Sequence, residues 1–179
     1  LLSPAESAGM VLRAVDGIEP TVHEDAYVDE AAVVIGDVTI ERDASVWPNT
    51  TLRGDHYPIV VREEANVQDN AVLHEDAVLD RRATVGHAAI VHAATVAEEA
   101  LVGMGAVVLD DATIGERAVV AAGSVVTEGT EVPPETLVAG TPAEVVKEIP
   151  DGEMGAVAAD EYVMRGTQYA ESSRVVDPD

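Results

Sequence analysis

The chain has 179 residues, 34 acidic and 10 basic, so its formal net charge is −24, and it contains no cysteine. Disulfide bonds and thiolate metal sites are therefore excluded, and contacts to nucleic-acid phosphates would have to overcome general repulsion. No window supplies the roughly 18 consecutive apolar residues of a membrane span, and the N-terminus lacks the pattern of a secretory signal. We therefore expect a soluble cytoplasmic protein that binds neither nucleic acid nor a membrane.

The acidic residues are scattered through the chain, and Lys147 is the one lysine beside nine arginines. A densely carboxylated surface stays hydrated in concentrated salt, where a Debye length of about 3 Å at 1 M removes most of the self-repulsion. This composition predicts a halophilic source. A hydrophobic content of 47% opposes the alternative of an acidic disordered chain. No EF-hand loop supports the alternative of a calcium protein.

Aliphatic residues recur every six positions, with one five-residue step, along most of the chain. A small residue usually follows each aliphatic one after four places, as in Ile114-Gly-Glu-Arg-Ala118. A period of six, instead of 3.6 or 7, predicts short strands joined by tight turns. The series comprises Val22, Val28, Val34, Ile40, Val46, Leu52, Val67, Leu73, Leu79, Val85, Val91, Val96, Val102, Val108, Ile114, Val120, Val126, Val132 and Val138.

This repeat resembles that of the hexapeptide-repeat proteins, whose fold is a left-handed parallel β-helix with three repeats in each triangular coil of about 18 residues. The resemblance covers residues 22 to 138 and implies an all-β fold with stacked aliphatic side chains in its interior. Between Leu52 and Val67 the spacing breaks around Gly54 and Pro58, which predicts a loop that bulges from the β-helix.

The repeat stops at Gly140-Thr141-Pro142, and a different pattern follows. From Asp151 a stripe at helical spacing predicts one amphipathic helix packed along the outside of the β-helix. We expect a β-helix domain over residues 10–150 and a C-terminal helix and tail over 151–179, frayed from residue 171. Residues 1–9 are an extension whose status the sequence leaves open. The stripe comprises Met154, Ala158, Tyr162, Arg165 and Tyr169.

Three of the five histidines have a spacing that predicts a metal site. His74 and His92 are 18 residues apart, so with 18-residue coils their imidazoles lie at equivalent places on adjacent coils, about 4.8 Å apart. Two such imidazoles can share one metal ion, although stacked surface histidines are the alternative. His87 falls on a different face, so a neighbouring β-helix in a cyclic trimer would have to present it. An ordinary interface histidine is the alternative for His87.

Four motifs closely resemble those of the γ-class carbonic anhydrases and their hexapeptide relatives. The resemblance implies a homotrimeric zinc-type metalloenzyme, a carbonate dehydratase (a lyase), in which a metal-bound hydroxide converts carbon dioxide to bicarbonate at subunit interfaces. The motifs are Ser45-Val-Trp-Pro-Asn-Thr-Thr-Leu-Arg-Gly-Asp55, Asn66-Val-Gln-Asp-Asn-Ala-Val-Leu-His74, Gly86-His-Ala-Ala-Ile-Val-His92 and Gly103-Met-Gly-Ala106.

The resemblance also implies roles for individual residues. His74 and His92 of one subunit and His87 of the next would hold Zn²⁺, or Fe²⁺ or Co²⁺ in the same three-nitrogen site. Gln68 would hold the hydroxide, with Asn66 nearby.

A polar network around the site is implied as well. Arg53, together with Asp55 and Asp69, would link subunits and orient bicarbonate, although a plain interface salt bridge is the alternative for Arg53 and Asp69. His56 is a candidate proton shuttle, because it occupies the place of an acidic shuttle residue in the best-known members. The long acidic insertion of those members is absent after the first ligand, where Glu75 is followed directly by Asp76.

An acyltransferase and a non-catalytic scaffold are the alternatives to a carbonic anhydrase. An acyltransferase would use coenzyme A between subunits, but it needs a basic patch for the phosphates, and the basic residues here do not cluster. A non-catalytic metal-binding scaffold or assembly subunit would retain the ligands.

Gly103-Met-Gly105 lacks the strand-to-helix context of a phosphate loop, so a tight turn is expected there. Tyr162 is expected to pack the helix on the β-helix, the alternative being an approach to a neighbour's metal site.

Overall fold

The computed structural model describes residues 11–174 and residue 176; the predicted extension over residues 1–9 lies outside the described residues. Short strands make a parallel β-helix of about seven turns, and one helix, α1 (Met154–Ser172), follows it in the described part of the chain. The strands are β1 (Val11–Arg13), β2 (Thr21–Val22), β3 (Tyr27–Val28), β4 (Val33–Ile40), β5 (Ser45–Val46), β6 (Thr51–Val61), β7 (Asn66–Val67), β8 (Val72–His74), β9 (Val78–Leu79), β10 (Thr84–Val85), β11 (Ile90–His92), β12 (Thr95–Val96), β13 (Leu101–Val102), β14 (Val107–Val108), β15 (Thr113–Ile114), β16 (Val119–Val120), β17 (Val125–Val126), β18 (Glu131–Val132), β19 (Thr136–Gly140) and β20 (Ala143–Glu148).

Three faces arise because each strand pairs in parallel with the strand one coil away. The first face contains β8, β11, β14 and β17, the second contains β9, β12, β15 and β18, and the third runs from β3 to β19. The long strands β4 and β6 pass round one corner and join the first two faces into one sheet. At the C-terminal end β20 pairs antiparallel with β19. The predicted left-handed parallel β-helix with a C-terminal helix is confirmed.

The interior of the β-helix is a stack of small aliphatic side chains. Every residue of the predicted six-residue series is buried, and Leu52, Leu73 and Val85 have no exposed surface. Alanines such as Ala71 and Ala89 fill the places between them and are also fully buried. Each buried valine or leucine stabilises the fold by about 1.5–3 kcal/mol. The core therefore needs no phenylalanine, and the chain contains none.

The predicted loop after Leu52 is a bulge inside the continuous strand β6. Gly54 still pairs with Gly36, but the next pair is Ile59 with Val38, so residues 55–58 project outward at the corner. A Cβ atom on Gly36 would lie 2.3 Å from the carbonyl oxygen of Gly54, and Gly36 has a φ of +74°. Only glycine allows the two strands to approach this closely. The bulge carries Asp55 and His56 out of the core register.

Helix α1 packs along the third face, against β3, β5 and β10. Its buried residues are Gly155, Ala159, Tyr162 and Gly166, whereas Met154 is 54% exposed. The predicted contact stripe was therefore only partly right: Tyr162 is buried and Tyr169 packs on Trp47, but Met154 and Arg165 do not form the buried contact. The reason is close backbone approach: a Cβ atom on Gly155 would lie 1.8 Å from the carbonyl oxygen of Glu99. Among residues 11–174 no helix combines the length and the apolar sequence that crossing a membrane requires.

Candidate functional site

His74 and His92 lie directly opposite each other on β8 and β11. The buried neighbours Leu73 and Val91 hold each strand in the core, so the next side chain on each strand points outward. The two imidazole ring centroids are 5.0 Å apart. The 18-residue spacing thus does place these imidazoles on adjacent coils.

The histidine pair belongs to a ladder that extends over four coils. Arg53 lies opposite His74 on the preceding coil, and its Nη2 is 3.3 Å from Nδ1 of His74. On the following coil, Oδ1 of Asp110 is 2.7 Å from Nδ1 of His92. The carboxylate accepts a hydrogen bond from Nδ1–H of His92, which leaves Nε2 with its lone pair available to a metal. Sequence reasoning missed Asp110, although its position 18 residues after His92 was a usable signal.

Two carboxylates face the other nitrogen of His74. Its Nε2 is 3.3 Å from Oδ1 of Asp55 and 3.2 Å from Oε1 of Glu75. The other oxygen of Asp55 accepts a hydrogen bond of 2.6 Å from Arg53, and this bond lowers the pKa of Asp55 below its usual value. Nδ1 of His56 is 3.3 Å from Oε1 of Glu75, and the side chain of His56 is 72% exposed. Glu75 therefore lies between His74 and a solvent-exposed imidazole.

His87 lies after β10, in a second group of residues. Its Nδ1 is 2.9 Å from Oδ2 of Asp69, which again leaves Nε2 available. The phenolic oxygen of Tyr162 is 3.4 Å from that Nε2, and burial raises the pKa of Tyr162. Tyr162 also packs on Trp47, with ring centroids 5.2 Å apart. It is therefore both a packing residue of α1 and a neighbour of His87.

Asn66 and Gln68 form a buried chain of hydrogen bonds in the same group. Nδ2 of Asn66 donates to the hydroxyl of Thr84 at 2.8 Å, and Nε2 of Gln68 donates to Oδ1 of Asn66 at 3.2 Å. Both amides are thereby oriented, and Oε1 of Gln68 is left as an acceptor. Gln68 and His87 line one groove between the third face and α1.

The structure divides the predicted site residues into two groups. The first holds Arg53, Asp55, His56, His74 and His92, and the second holds Asn66, Gln68, Asp69 and His87. Within the described residues, side-chain hydrogen bonds and ion pairs join members of one group but not members of different groups. The predicted pairing of Arg53 with Asp69 is accordingly not formed within one chain.

A groove of about 590 Å³ lies beside the second group. Its lining includes the apolar residues Leu101, Val119 and Leu137, and Arg165 also lines it. Arg165 is paired with Glu161 of the same helix. Gly103-Met-Gly105 forms the turn from β13 to β14 beside this groove.

Comparison with known proteins places the chain in a family. The family described as bacterial transferase hexapeptide (six repeats) matches residues 93–128. A carbonic anhydrase of Geobacillus kaustophilus is 39% identical over 159 residues, which cover 86% of this chain and 87% of the relative. The chain belongs to the hexapeptide-repeat family.

Other members of the hexapeptide-repeat family have different names. The carnitine operon protein CaiE of Citrobacter koseri is 38% identical over 79% of this chain and 74% of its own length. The crystal structure of a hexapeptide transferase family protein from Anaplasma phagocytophilum has a TM-score of 0.86 and 38% identity, and the match covers 89% of this chain and 98% of that one. Membership therefore leaves carbonic anhydrase and transferase activities to be decided by the site.

The donor set suits a divalent metal ion of the zinc type. His87 and His92 each have a carboxylate on Nδ1, the arrangement that usually stands behind a metal-binding imidazole. Three neutral imidazoles would leave such an ion its full charge and an open position.

Proposed function

We propose that the chain is a γ-type carbonic anhydrase that hydrates carbon dioxide to bicarbonate at the interfaces of a homotrimer. The observation that carries this proposal is the pair of carboxylate-backed histidines, His92 with Asp110 and His87 with Asp69, placed in separate groups of one chain. A cyclic trimer would bring the first group of one subunit to the second group of the next. His74, His92 and the neighbour's His87 would then hold Zn²⁺, Fe²⁺ or Co²⁺.

The three imidazoles would hold the ion, which would supply the Lewis acidity that allows a water to lose a proton near neutral pH. The chain's own residues hold and orient the reactants. Gln68, fixed through Asn66, would accept a hydrogen bond at Oε1 from the attacking water and so orient its oxygen toward carbon dioxide. Arg53 is fixed by Asp55 and offers a planar fork to the oxygens of bicarbonate.

Proton removal would use Glu75 and His56. Oε1 of Glu75 is within 3.3 Å of both Nε2 of His74 and Nδ1 of His56. The imidazole of His56 is solvent-exposed, and an imidazole can both accept and release a proton, so it can pass a proton from Glu75 to buffer. This pair would replace the acidic residues of the long insertion that the chain lacks.

An acyltransferase reading is favoured by the apolar groove beside His87, which has the size of a small-molecule site. The charge of the groove opposes it. Among the described residues, Arg165 is the one arginine or lysine that lines the groove, and it is already paired with Glu161. Coenzyme A carries several phosphates, which need more unpaired cations than this groove offers. A metal-binding scaffold would keep the histidines but would not catalyse carbon dioxide hydration.

Metal analysis with a carbon dioxide hydration assay, on the same purified protein, tests the proposal. We expect tightly held metal and hydration activity in the wild type. Gln68→Ala should still hold its metal through gel filtration but lose hydration activity. The substitution removes the group that orients the attacking water and leaves the metal ligands in place. Wild-type protein with tight metal and no hydration activity would establish the scaffold instead. Binding of coenzyme A, measured by calorimetry, would favour the transferase.

A further inference from the structure

Four side chains with metal-binding atoms meet inside one subunit, on the first face and its corner bulge. Oδ1 of Asp55, Nε2 of His74, Oε1 of Glu75 and Nδ1 of His56 form a ring of successive contacts. Successive pairs of these atoms are 3.3, 3.2, 3.3 and 3.7 Å apart. The first three residues offer donor atoms that all lie within 4.8 Å of one another.

The separations of His74 from Asp55 and from Glu75 are close to those of ligands on a metal ion. With bonds of about 2.0–2.2 Å, two ligands of a tetrahedral ion are about 3.3–3.6 Å apart. Two carboxylates and two imidazoles form a mixed nitrogen and oxygen set that suits Zn²⁺ and Co²⁺. The backbone also builds the cluster: the bulge in β6 projects Asp55 and His56, and Glu75 adopts a φ of +48° directly after His74.

We propose that Asp55, His74 and Glu75, with His56 at the rim, form a divalent-cation site within a single subunit. This site needs no contribution from a neighbour, unlike the triad of the proposed function. Both sites use Nε2 of His74, so one subunit fills one of them at a time. Because the ring of His92 lies edge-on to that of His74 with centroids 5.0 Å apart, an ion held by Asp55 and Glu75 can be passed to the interface triad when subunits assemble.

Co²⁺ titration of a His87→Ala/His92→Ala double variant isolates the intrasubunit site. The variant retains Asp55, His74 and Glu75 and lacks two interface ligands. We expect about one Co²⁺ per chain, seen as visible absorption bands that also appear in dissociated subunits. Adding Glu75→Gln should weaken Co²⁺ binding at least tenfold, comparable with the roughly 10–100-fold cost of losing even an outer-shell partner.

Asp76→Asn in the same background is the matched control. It removes the same charge from the next residue, which is exposed and outside the cluster. Co²⁺ binding should be unchanged by Asp76→Asn if the cluster is a site. Equal weakening by both substitutions, or no Co²⁺ absorption in the double variant, would overturn the proposal. Trp47 fluorescence and circular dichroism check that each variant is folded.

The same titration separates this proposal from the proposed function. Wild-type protein should bind Co²⁺ more tightly than the double variant, because it has the interface triad as well. If the triad does not exist, the two proteins bind equally and the intrasubunit site stands alone. If the intrasubunit site does not exist, the wild type binds and the double variant does not.

Discussion

His92 and Asp110 lie one coil apart, and Nδ1 of the imidazole is 2.7 Å from Oδ1 of the carboxylate. This contact fixes the protonated nitrogen of His92 and points the other nitrogen away from Asp110. His87 and Asp69 repeat the relationship at 2.9 Å on a different face. His87 and His92 are thus each oriented by a carboxylate, but they lie on different faces of one chain. A metal site shared between subunits would need this arrangement.

Asp110→Asn should weaken tight metal binding by roughly 10–100-fold. The neutral amide oxygen is a weaker acceptor than the carboxylate for the hydrogen bond from Nδ1–H of His92. Asp111→Asn is the control, since it changes the same charge one residue away, and its φ of +58° is tolerated by asparagine. Competition with a chelating dye measures both affinities. Wild-type affinity in Asp110→Asn would show that the carboxylate does not support the ligand.

The association of subunits into a trimer should depend on salt concentration. With a net charge of −24 per chain, subunits repel each other at low ionic strength, and about 1 M potassium chloride screens that repulsion to within about 3 Å. If the source is halophilic, as the acidic composition predicts, a trimer should form and be active in concentrated salt and should dissociate in dilute buffer. Sedimentation across a salt series tests it, and a stable, active trimer at low salt would contradict it. Variants with neutralised exposed carboxylates should need less salt.

The fold could be predicted almost completely from the sequence, because a β-helix interior depends on a one-dimensional repeat. Each aliphatic residue of the series faces inward, and the pairing of His74 with His92 follows from the same spacing. Asp110 obeyed this spacing too, and extending the histidine ladder by one coil would have found it. The network around Glu75 could not be found in this way, because it depends on the outward bulge of β6 and on side-chain directions.

The contact face of α1 shows a different limit. Helical spacing suggested a stripe that starts at Met154 and Ala158, but besides Tyr162 the buried residues of the helix are Gly155, Ala159 and Gly166. Gly155 allows its backbone to touch Glu99, and this approach leaves no room for a wider side chain. Which face of a helix touches its partner was here set by how closely two backbones can come. Hydrophobic periodicity does not report that distance.

Arg82 fixes α1 to the β-helix. Its guanidinium donates to Glu64 at 2.7 Å, to Glu99 at 3.0 Å and to Asp160 of α1 at 2.9 Å, and the side chain is 14% exposed. Burial lowers the pKa of Arg82, but hydrogen bonds with these three carboxylates outweigh it and raise the pKa overall. Without the arginine, three carboxylates would face one another.

Arg82→Met should therefore lower the free energy of unfolding by about 1.5–3 kcal/mol. It should also shift the emission of Trp47, which packs on Tyr162 and Tyr169 of α1. Arg81→Met is the control: Arg81 pairs with Glu98 at the surface and is 46% exposed, so its loss should cost at most about 1 kcal/mol. Urea unfolding followed by Trp47 fluorescence measures both, and equal effects would contradict the role given to Arg82.

Subunit mixing tests the shared site most directly. Homotrimers of His74→Ala and of His87→Ala should each lack tight metal, because every interface misses one ligand. In a mixed cyclic trimer one interface joins the intact His74 and His92 of a His87→Ala subunit to the intact His87 of a His74→Ala subunit. About one site in three of each mixed trimer should then regain tight metal and activity. The two variants are refolded together, mixing is demonstrated with a mass tag on one of them, and metal is assayed after gel filtration. A site built from one chain would recover nothing, so absence of tight metal in proven mixed trimers would refute the split arrangement.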